Sequence, residues 1–500
     1  MKHKRCLLLM LILCMVLSLL PAAVSATETS VEQQIIDACT YGKTVDISQF
    51  RLTATKLEAL HQKLLLEGKL PWYTARNFTY QYNEGNGYML EFTPKILDPD
   101  VYDRMLYEQK VAEILAACVH EGMSAWQIAL SIHDYLVVNC VYDEALELNT
   151  GYDLLMKGST VCTGYAALYQ DLLLRCGIPC QQVRSDPMEH IWNLVQLDGK
   201  WYHVDVTWDD PTPDIKGLVR HEYFLRTDDE MSAGEEPHHD WETDITCTGT
   251  TYSNAFWTKV ESQIIFTDVK TCYFIRAKDC QNSIYRRDIP SGKETRLYKE
   301  KAAYLNIGHG RYRYYHTGLS LWNDRLWFCT MDKVYSMTLK GKDVRKEYTY
   351  NTGANHRVLR GCYVTGDSIQ MSATDHDGSA VPVTQAIKAS GGHVHSYTQT
   401  ITQPNCTQPG YTVSTCQCGV TAKGAPVVAT GHDWQQISYD APTFFSDGYA
   451  ENRCGLCGET DGEYLPQIDL IQWLSENRKV VYVVAVVLIV LISSGKRKKA

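Results

Sequence analysis

A cysteine, a histidine and an aspartate follow one another along the chain as Cys162, His190 and Asp205. A thiol beside an imidazole that is itself beside a carboxylate makes a sulfur nucleophile. The imidazole removes the thiol proton, and the carboxylate fixes the ring tautomer and stabilises the imidazolium. Attack of such a sulfur on an amide carbonyl yields a thioester, which water or an amine then resolves. Each residue alone is usually inert, so the reading rests on the three together and on the elements that bring them to one place.

From Cys162 the apolar residues Tyr165, Leu168, Tyr169, Leu172, Leu173 and Cys176 recur at helical spacing. Gly177 ends that helix and Pro179 forbids its return. Cys162 therefore falls in the first turn, where free amide N–H groups and the positive end of the dipole favour a thiolate. The stretches His190–Val195 and Trp201–Thr207 read as strands. Asp198-Gly199 between them is a two-residue turn signal. Such a turn pairs Leu197 with Lys200, sets His190 opposite Thr207, and puts Asp205 diagonal to His190 on the same face, within side-chain reach. His203 shares that face and is the competing imidazole.

The motifs Val161-Cys162-Thr163-Gly164-Tyr165-Ala166, Gly177-Ile178-Pro179, His190-Ile191-Trp192-Asn193 and the run from Asp198 to Asp210 resemble the transglutaminase-like superfamily. The resemblance extends from about Met123 to Thr227, and Ile132-His133-Asp134-Tyr135-Leu136 with Val141-Tyr142-Asp143 resembles what precedes the nucleophile there. It implies a papain-like core with Cys162 as nucleophile, His190 as general base and acid, and Asp205 as orienter. His133 is expected to be scaffold. The family usually has a small residue before the histidine, whereas this chain has Glu189, a carboxylate that could raise the imidazole pKa.

The remaining elements frame this core. The 500 residues suggest about three domains, and 45% hydrophobic with 21% charged residues is ordinary for a globular chain. The net charge of -10 argues against nucleic acid as a partner. A basic stretch at Lys2 to Arg5, an apolar run from Cys6 to Leu20 and the small residues Val24-Ser25-Ala26 read as a secretory signal peptide over 1–26. In the N-terminal α/β region, 27–98, Val31–Cys39 and Ala54–Glu67 read as helices. Phe78–Tyr82 and Tyr88–Phe92 read as a hairpin around Glu84-Gly85-Asn86-Gly87. In the catalytic domain, 99–240, Asp98 is expected to cap a helix reaching Cys118, and Ser124 another. His221-Glu222-Tyr223-Phe224-Leu225 is a strand or turn closing the core. His238-His239-Asp240 has metal-ligand types, but nothing nearby completes a site, so it reads as a solvated loop. Residues 251–375 alternate short β runs with turns, an all-β domain of propeller-like blades too short to close.

Residues 391–463 hold a weak repeat. His395, Pro404, Cys406, Gly410-Tyr411, Cys416 and Cys418 correspond to His432, Pro442, Phe444, Gly448-Tyr449, Cys454 and Cys457. The copies look like the small Cys/His repeats of Gram-positive surface proteins, and structural zinc or disulfides are both compatible with them. The 18 cysteines invite a disulfide framework in a secreted chain, with Cys162 kept free. Finally, Val480 to Ser494 is apolar and Lys496-Arg497-Lys498-Lys499 follows it. This reads as a short transmembrane helix over 480–494 with a cytoplasmic basic tail, below the usual ~20 residues but eased by snorkelling lysines. Leu465-Pro466-Gln467-Ile468-Asp469 lacks the Thr-Gly of a sortase signal, which favours a retained anchor.

The fold class expected is α+β: a papain-like transglutaminase core, a small all-β domain, Cys/His repeats and a C-terminal membrane helix. The function expected is a membrane-anchored thiol enzyme with no cofactor for catalysis. It would act on amide bonds of proteins or peptides as protease, amidase or acyltransferase. Candidate partners beyond the substrate are cell-wall or host-surface components. The alternative is a surface adhesion protein that uses the core as a scaffold.

Overall fold

In the computed structural model, described from residue 30 to residue 467 with breaks of which the longest are 387–396 and 424–433, the N-terminal region forms as its periodicity requires. Helices α1 (Val31–Tyr41) and α2 (Ala54–Leu66) cover a small antiparallel sheet of β1 (Val45–Asp46), β2 (Thr74–Tyr82) and β3 (Met89–Ile96). Ser30 and Thr53 cap the two helices through their side chains. The segments 1–26 and 480–494 lie outside the described residues. Among the described residues no helix is long and apolar enough to cross a membrane.

The core that positions the site begins with α3 (Arg104–Cys118) and α4 (Ala125–Asn139). The α3 cap is Asp103, whose carboxylate accepts the Leu106 N–H at 2.9 Å, and not Asp98, which lies a full turn upstream. Ser124 starts α4 as expected, and the Gln127 side-chain oxygen accepts its backbone N–H at 3.0 Å. A short parallel pair, β4 (Val141–Tyr142) with β5 (Ser159–Thr160), flanks α5 (Gly151–Lys157) and leads into α6 (Cys162–Arg175). The antiparallel sheet β6 (Cys180–Ser185), β7 (His190–Leu197), β8 (Lys200–Val204) and β9 (Phe224–Arg226) follows in spatial order. Between β8 and β9 lies α7 (Val206–Asp209), and α8 (Asp228–Ser232) follows β9.

Helix α6 buries Tyr165, Leu168, Tyr169, Leu172 and Leu173. Each such side chain contributes about 1.5–3 kcal/mol on burial. Two hydrogen bonds set its position: Tyr169 Oη donates to Ala129 O on α4 at 3.0 Å, and Asn193 Nδ2 on β7 donates to Ala166 O at 3.0 Å. The same core continues into Trp257, Val260, Phe266 and Phe274. The start of the β region is therefore packed on the core and is not a detached module.

Beyond it the chain forms two four-stranded antiparallel meanders, Ile265–Asp268 to Glu294–Lys299 and Leu319–Trp322 to Arg345–Thr349, with a two-stranded pair between them. A three-stranded sheet follows from Val358–Thr365 to Ala380–Ala386. The meanders have the strand order of propeller blades. Each C-terminal repeat copy is a three-stranded antiparallel sheet, Tyr397–Thr402 to Thr421–Lys423 and Trp434–Asp440 to Thr460–Leu465. The chain divides into one compact unit of Ser30–Gln403 with Pro409–Val428 and another that includes Pro404–Gln408 with the residues from Ala429 onward. His395, Cys418, His432 and Phe444 lie outside the described residues.

Candidate active site

Cys162 is the first residue of α6, with Val161 as its cap. Its side chain is half-buried at the surface end of the helix. Gly164 follows in the motif because the helix start runs tight against the loop behind it. A Cβ at Gly164 would lie 2.6 Å from the Thr150 carbonyl oxygen and closer still to the Thr160 side chain. The turn Asp198-Gly199 forms as expected, with φ of 50° and 76°, so β7 and β8 pair Leu197 with Lys200 and Asn193 with Val204.

The hairpin departs from expectation at its far end. Strand β8 stops at Val204, and His190 pairs with Ser185 on β6 instead of lying opposite Thr207. Asp205 leaves the strand and becomes the cap of α7, its Oδ1 accepting the N–H groups of Thr207 at 3.0 Å and Trp208 at 3.2 Å. The physical reason is that an aspartate before a turn satisfies orphan helix donors that a strand residue leaves to the ladder. The cap orients the carboxylate, and Oδ2 accepts His190 Nε2–H at 2.6 Å. The Cys162 side chain lies near enough to the His190 ring to act on it electrostatically, and Asp205 takes Nε2, which leaves Nδ1 for the sulfur. The three expected residues are thus brought together in the order thiol, imidazole, carboxylate.

A fourth group is present that the sequence reading put in solvent. His238 is fully buried and its Nε2–H donates to the same Asp205 Oδ2 at 2.8 Å. Its neighbours His239 and Asp240 are exposed, so only those two residues of the expected loop are solvated. The chain returns to the site from α8, and this long-range return carries no periodic signal in the sequence. The Trp208 ring lies 4.1 Å from the His238 ring, and Trp192 stacks on His190 at 5.6 Å. These rings keep water from the carboxylate.

His203 lies on the expected face but is not available to the thiol. The Trp192 indole N–H donates to its Nδ1 at 2.9 Å, and its Nε2 faces Asp228 Oδ1 at 2.8 Å. Burial, against the pull of Asp228, holds its pKa below the ordinary histidine value. Glu189 is exposed and at φ 49°, a left-handed conformation that explains why a small residue suits this position. The groups that act most strongly on the His190 ring are Asp205 and Cys162. Burial alone would lower the His190 pKa, but the Asp205 carboxylate and the Cys162 thiol outweigh it and push it up to about 10. Burial would likewise raise the Asp205 carboxyl, yet His190 and His238 hold it well below the carboxylate range.

His133 is scaffold, as expected. It is fully buried between Asp134 Oδ1 at 2.9 Å and Asp209 Oδ2 at 3.1 Å, which tie α4 to α7. Against the effect of burial these carboxylates raise its pKa to about 9. Asp134 also meets His221 Nε2 at 3.0 Å and accepts the Ile264 N–H at 2.7 Å. This network braces the helix whose cap is Asp205. The clusters His190–Asp205–His238 and His133–Asp134–His221 have donor types that could hold a metal ion. Their 2.6–3.0 Å nitrogen-to-oxygen separations are those of direct hydrogen bonds.

A groove of about 260 Å³ opens beside Thr163, lined among others by Trp72, Arg76, Tyr152, Ala167 and Gln182. Arg76 comes from β2 of the N-terminal region, and the Cys162 sulfur lies within electrostatic reach of its guanidinium.

Residues 113–206 match the family model of the transglutaminase-like superfamily. This segment is a transglutaminase-like core within a chain of mixed helices and sheets. Over 92 residues the chain is 32% identical to kyphoscoliosis peptidase of Homo sapiens and to that of Mus musculus. The match covers 15% of this chain and 14% of either relative. Among solved structures, the chain is similar to one described as a TGase, at 15% identity, covering 31% of this chain and 49% of that one, with a TM-score of 0.17. It is also similar to a putative TolB from Agrobacterium tumefaciens at 10% identity, covering 56% and 86% of the two chains, with a TM-score of 0.19.

Proposed function

We propose that this chain is an exported, membrane-anchored thiol enzyme that cleaves or exchanges amide bonds of proteins or peptides through a Cys162 thioester. The observation that carries this reading is the Asp205 carboxylate, held on one oxygen by two backbone N–H groups and hydrogen-bonded through the other to His190. With Nε2–H committed to Asp205, Nδ1 holds the Cys162 proton in a thiolate–imidazolium pair, and the thiolate attacks the amide carbon. The imidazolium returns that proton to the leaving amine as the C–N bond breaks. Water then attacks the thioester to give an acid, or a primary amine attacks to give a new amide. In either case Cys162 is regenerated. Asp205 stabilises the imidazolium throughout without taking its proton. The groove lined by Trp72, Arg76 and Tyr152 reaches Thr163, the residue after the nucleophile, and supports binding of a peptide segment there. The signal-peptide pattern, the apolar run 480–494 and the basic end support an extracellular body with a cytoplasmic tail.

Active-site labelling tests the reading. Iodoacetamide should modify Cys162 ahead of the other described cysteines, most of which are buried. Burial pushes several of those thiols up, Cys39 and Cys176 to about 11. Full turnover of casein-like peptides by Cys162→Ser would contradict the mechanism. Supplying a fluorescent primary amine separates transfer from hydrolysis, since only transfer incorporates it.

A further inference from the structure

The second repeat copy ends in a turn built for more than reversing the chain. Strands Gly448–Cys454 and Thr460–Leu465 are joined through Cys454-Gly455-Leu456-Cys457-Gly458. Gly458, at φ 76°, donates its N–H to Cys454 O at 2.9 Å, and the Cys454 N–H bonds Glu459 O at 2.8 Å. The turn is thereby closed, and the Leu456 N–H is aimed at Cys454 Sγ at 3.4 Å. A backbone N–H directed at sulfur favours a thiolate.

A third sulfur arrives from the first repeat copy. Cys406 Sγ lies 3.6 Å from Cys454 Sγ, and the ligand atoms of Cys406, Cys454 and Cys457 are all within 4.8 Å of one another. Cys406 and Cys454 are buried and Cys457 is exposed. A tetrahedral zinc with bonds of about 2.3 Å sets its sulfurs about 3.8 Å apart. A disulfide requires about 2.05 Å. The Cys406–Cys454 separation is that of two ligands on one ion, and the Cys457 sulfur lies within 4.8 Å of both. The copy is a small three-stranded sheet, a size at which a bound metal is a common staple.

We infer that Cys406, Cys454 and Cys457 form a structural thiolate site for a soft divalent cation of the zinc class. The ligand set draws on both repeat copies, with Cys406 standing where the second copy has Phe444. Binding releases one proton per thiol and moves no electrons, and it leaves one tetrahedral position for a further donor. The site is independent of Cys162 and of the reading of the catalytic core.

The test uses the full chain, purified, stripped with chelator and titrated with cobalt(II) alone. A sulfur-to-cobalt charge-transfer band should saturate, and zinc should displace it. The double variant Cys454→Ser/Cys457→Ser should bind one metal equivalent fewer than the parent, with unchanged labelling of Cys162. Cys457→His keeps a ligand atom and should retain that equivalent with a weaker sulfur band, which separates ligation from folding of the copy. No sulfur band in the parent chain, equal metal content in the double variant, or a Cys406–Cys454 disulfide in peptide mass spectra would overturn the site.

Discussion

Replacing Asp205 by asparagine tests the proposed mechanism with little change of shape. The amide oxygen of Asp205→Asn can still accept the Thr207 and Trp208 N–H groups, and asparagine caps helices about as well as aspartate. The amide N–H₂, however, meets the Nε2–H groups of His190 and His238, two donors facing a donor. His190 relieves this by moving its proton to Nδ1, the nitrogen the proposed mechanism needs for the Cys162 proton. Loss of the correct tautomer costs on the order of 10⁴ in rate, equivalent to about 5 kcal/mol of barrier. The stability cost should be smaller, about 1–3 kcal/mol for ill-matched buried donors.

The two losses separate by assay: kcat/KM on a peptide amide for the first, denaturant unfolding for the second. The pH dependence carries a sign. His190 is raised from 6.5 to about 10, so its contribution to stability is full below pH 6.5 and is lost as pH rises through 10. Asp205 is depressed from 3.8, so its contribution is present above that value and lost as pH falls beneath it. The stability gap between parent and variant should therefore be widest between pH 4 and 6.5 and should narrow toward pH 10. A folded Asp205→Asn variant with kcat/KM within tenfold of the parent would refute the orienting role.

Four further outcomes are expected. His190→Ala should abolish turnover and the rapid labelling of Cys162, whereas His203→Ala should cost less in rate, since its partners are Trp192 and Asp228. His238→Gln, which keeps a donor for Asp205, should lose about tenfold in kcat, the low end for a supporting hydrogen-bond partner, with a shifted pH profile; an unchanged rate and profile would remove His238 from the site. Gly164→Ala should destabilise the core by about 1–3 kcal/mol through overpacking against the Thr150 carbonyl, read as a lowered Tm. Protease shaving of intact cells should release the catalytic body, and a chain found wholly in the cytosol would refute the proposed export.

Local chemistry made much of this protein legible in its sequence. The apolar spacing after Cys162, the Asp198-Gly199 turn, the helices beginning at Val31 and Ala54, and the Ser124 start are decided by residues a few positions apart. A helix start or a two-residue turn needs only its own backbone geometry and near neighbours, so composition suffices to find it. The order thiol, imidazole, carboxylate was visible for the same reason, because a hairpin links His190 to the neighbourhood of Asp205.

The remainder depended on contacts between distant parts of the chain. Asp205 could continue a strand or cap a helix, and the packing of α7 on the His133 network selected the cap. His203 was set aside because Trp192 and Asp228 hold both its nitrogens. His238 reached Asp205 from a polar segment with no periodicity, and Cys406 met Cys454 across two repeat copies. Such pairings follow from which buried donors and acceptors must find partners once the core has closed. That requirement acts through space, so it leaves no spacing in the sequence to read.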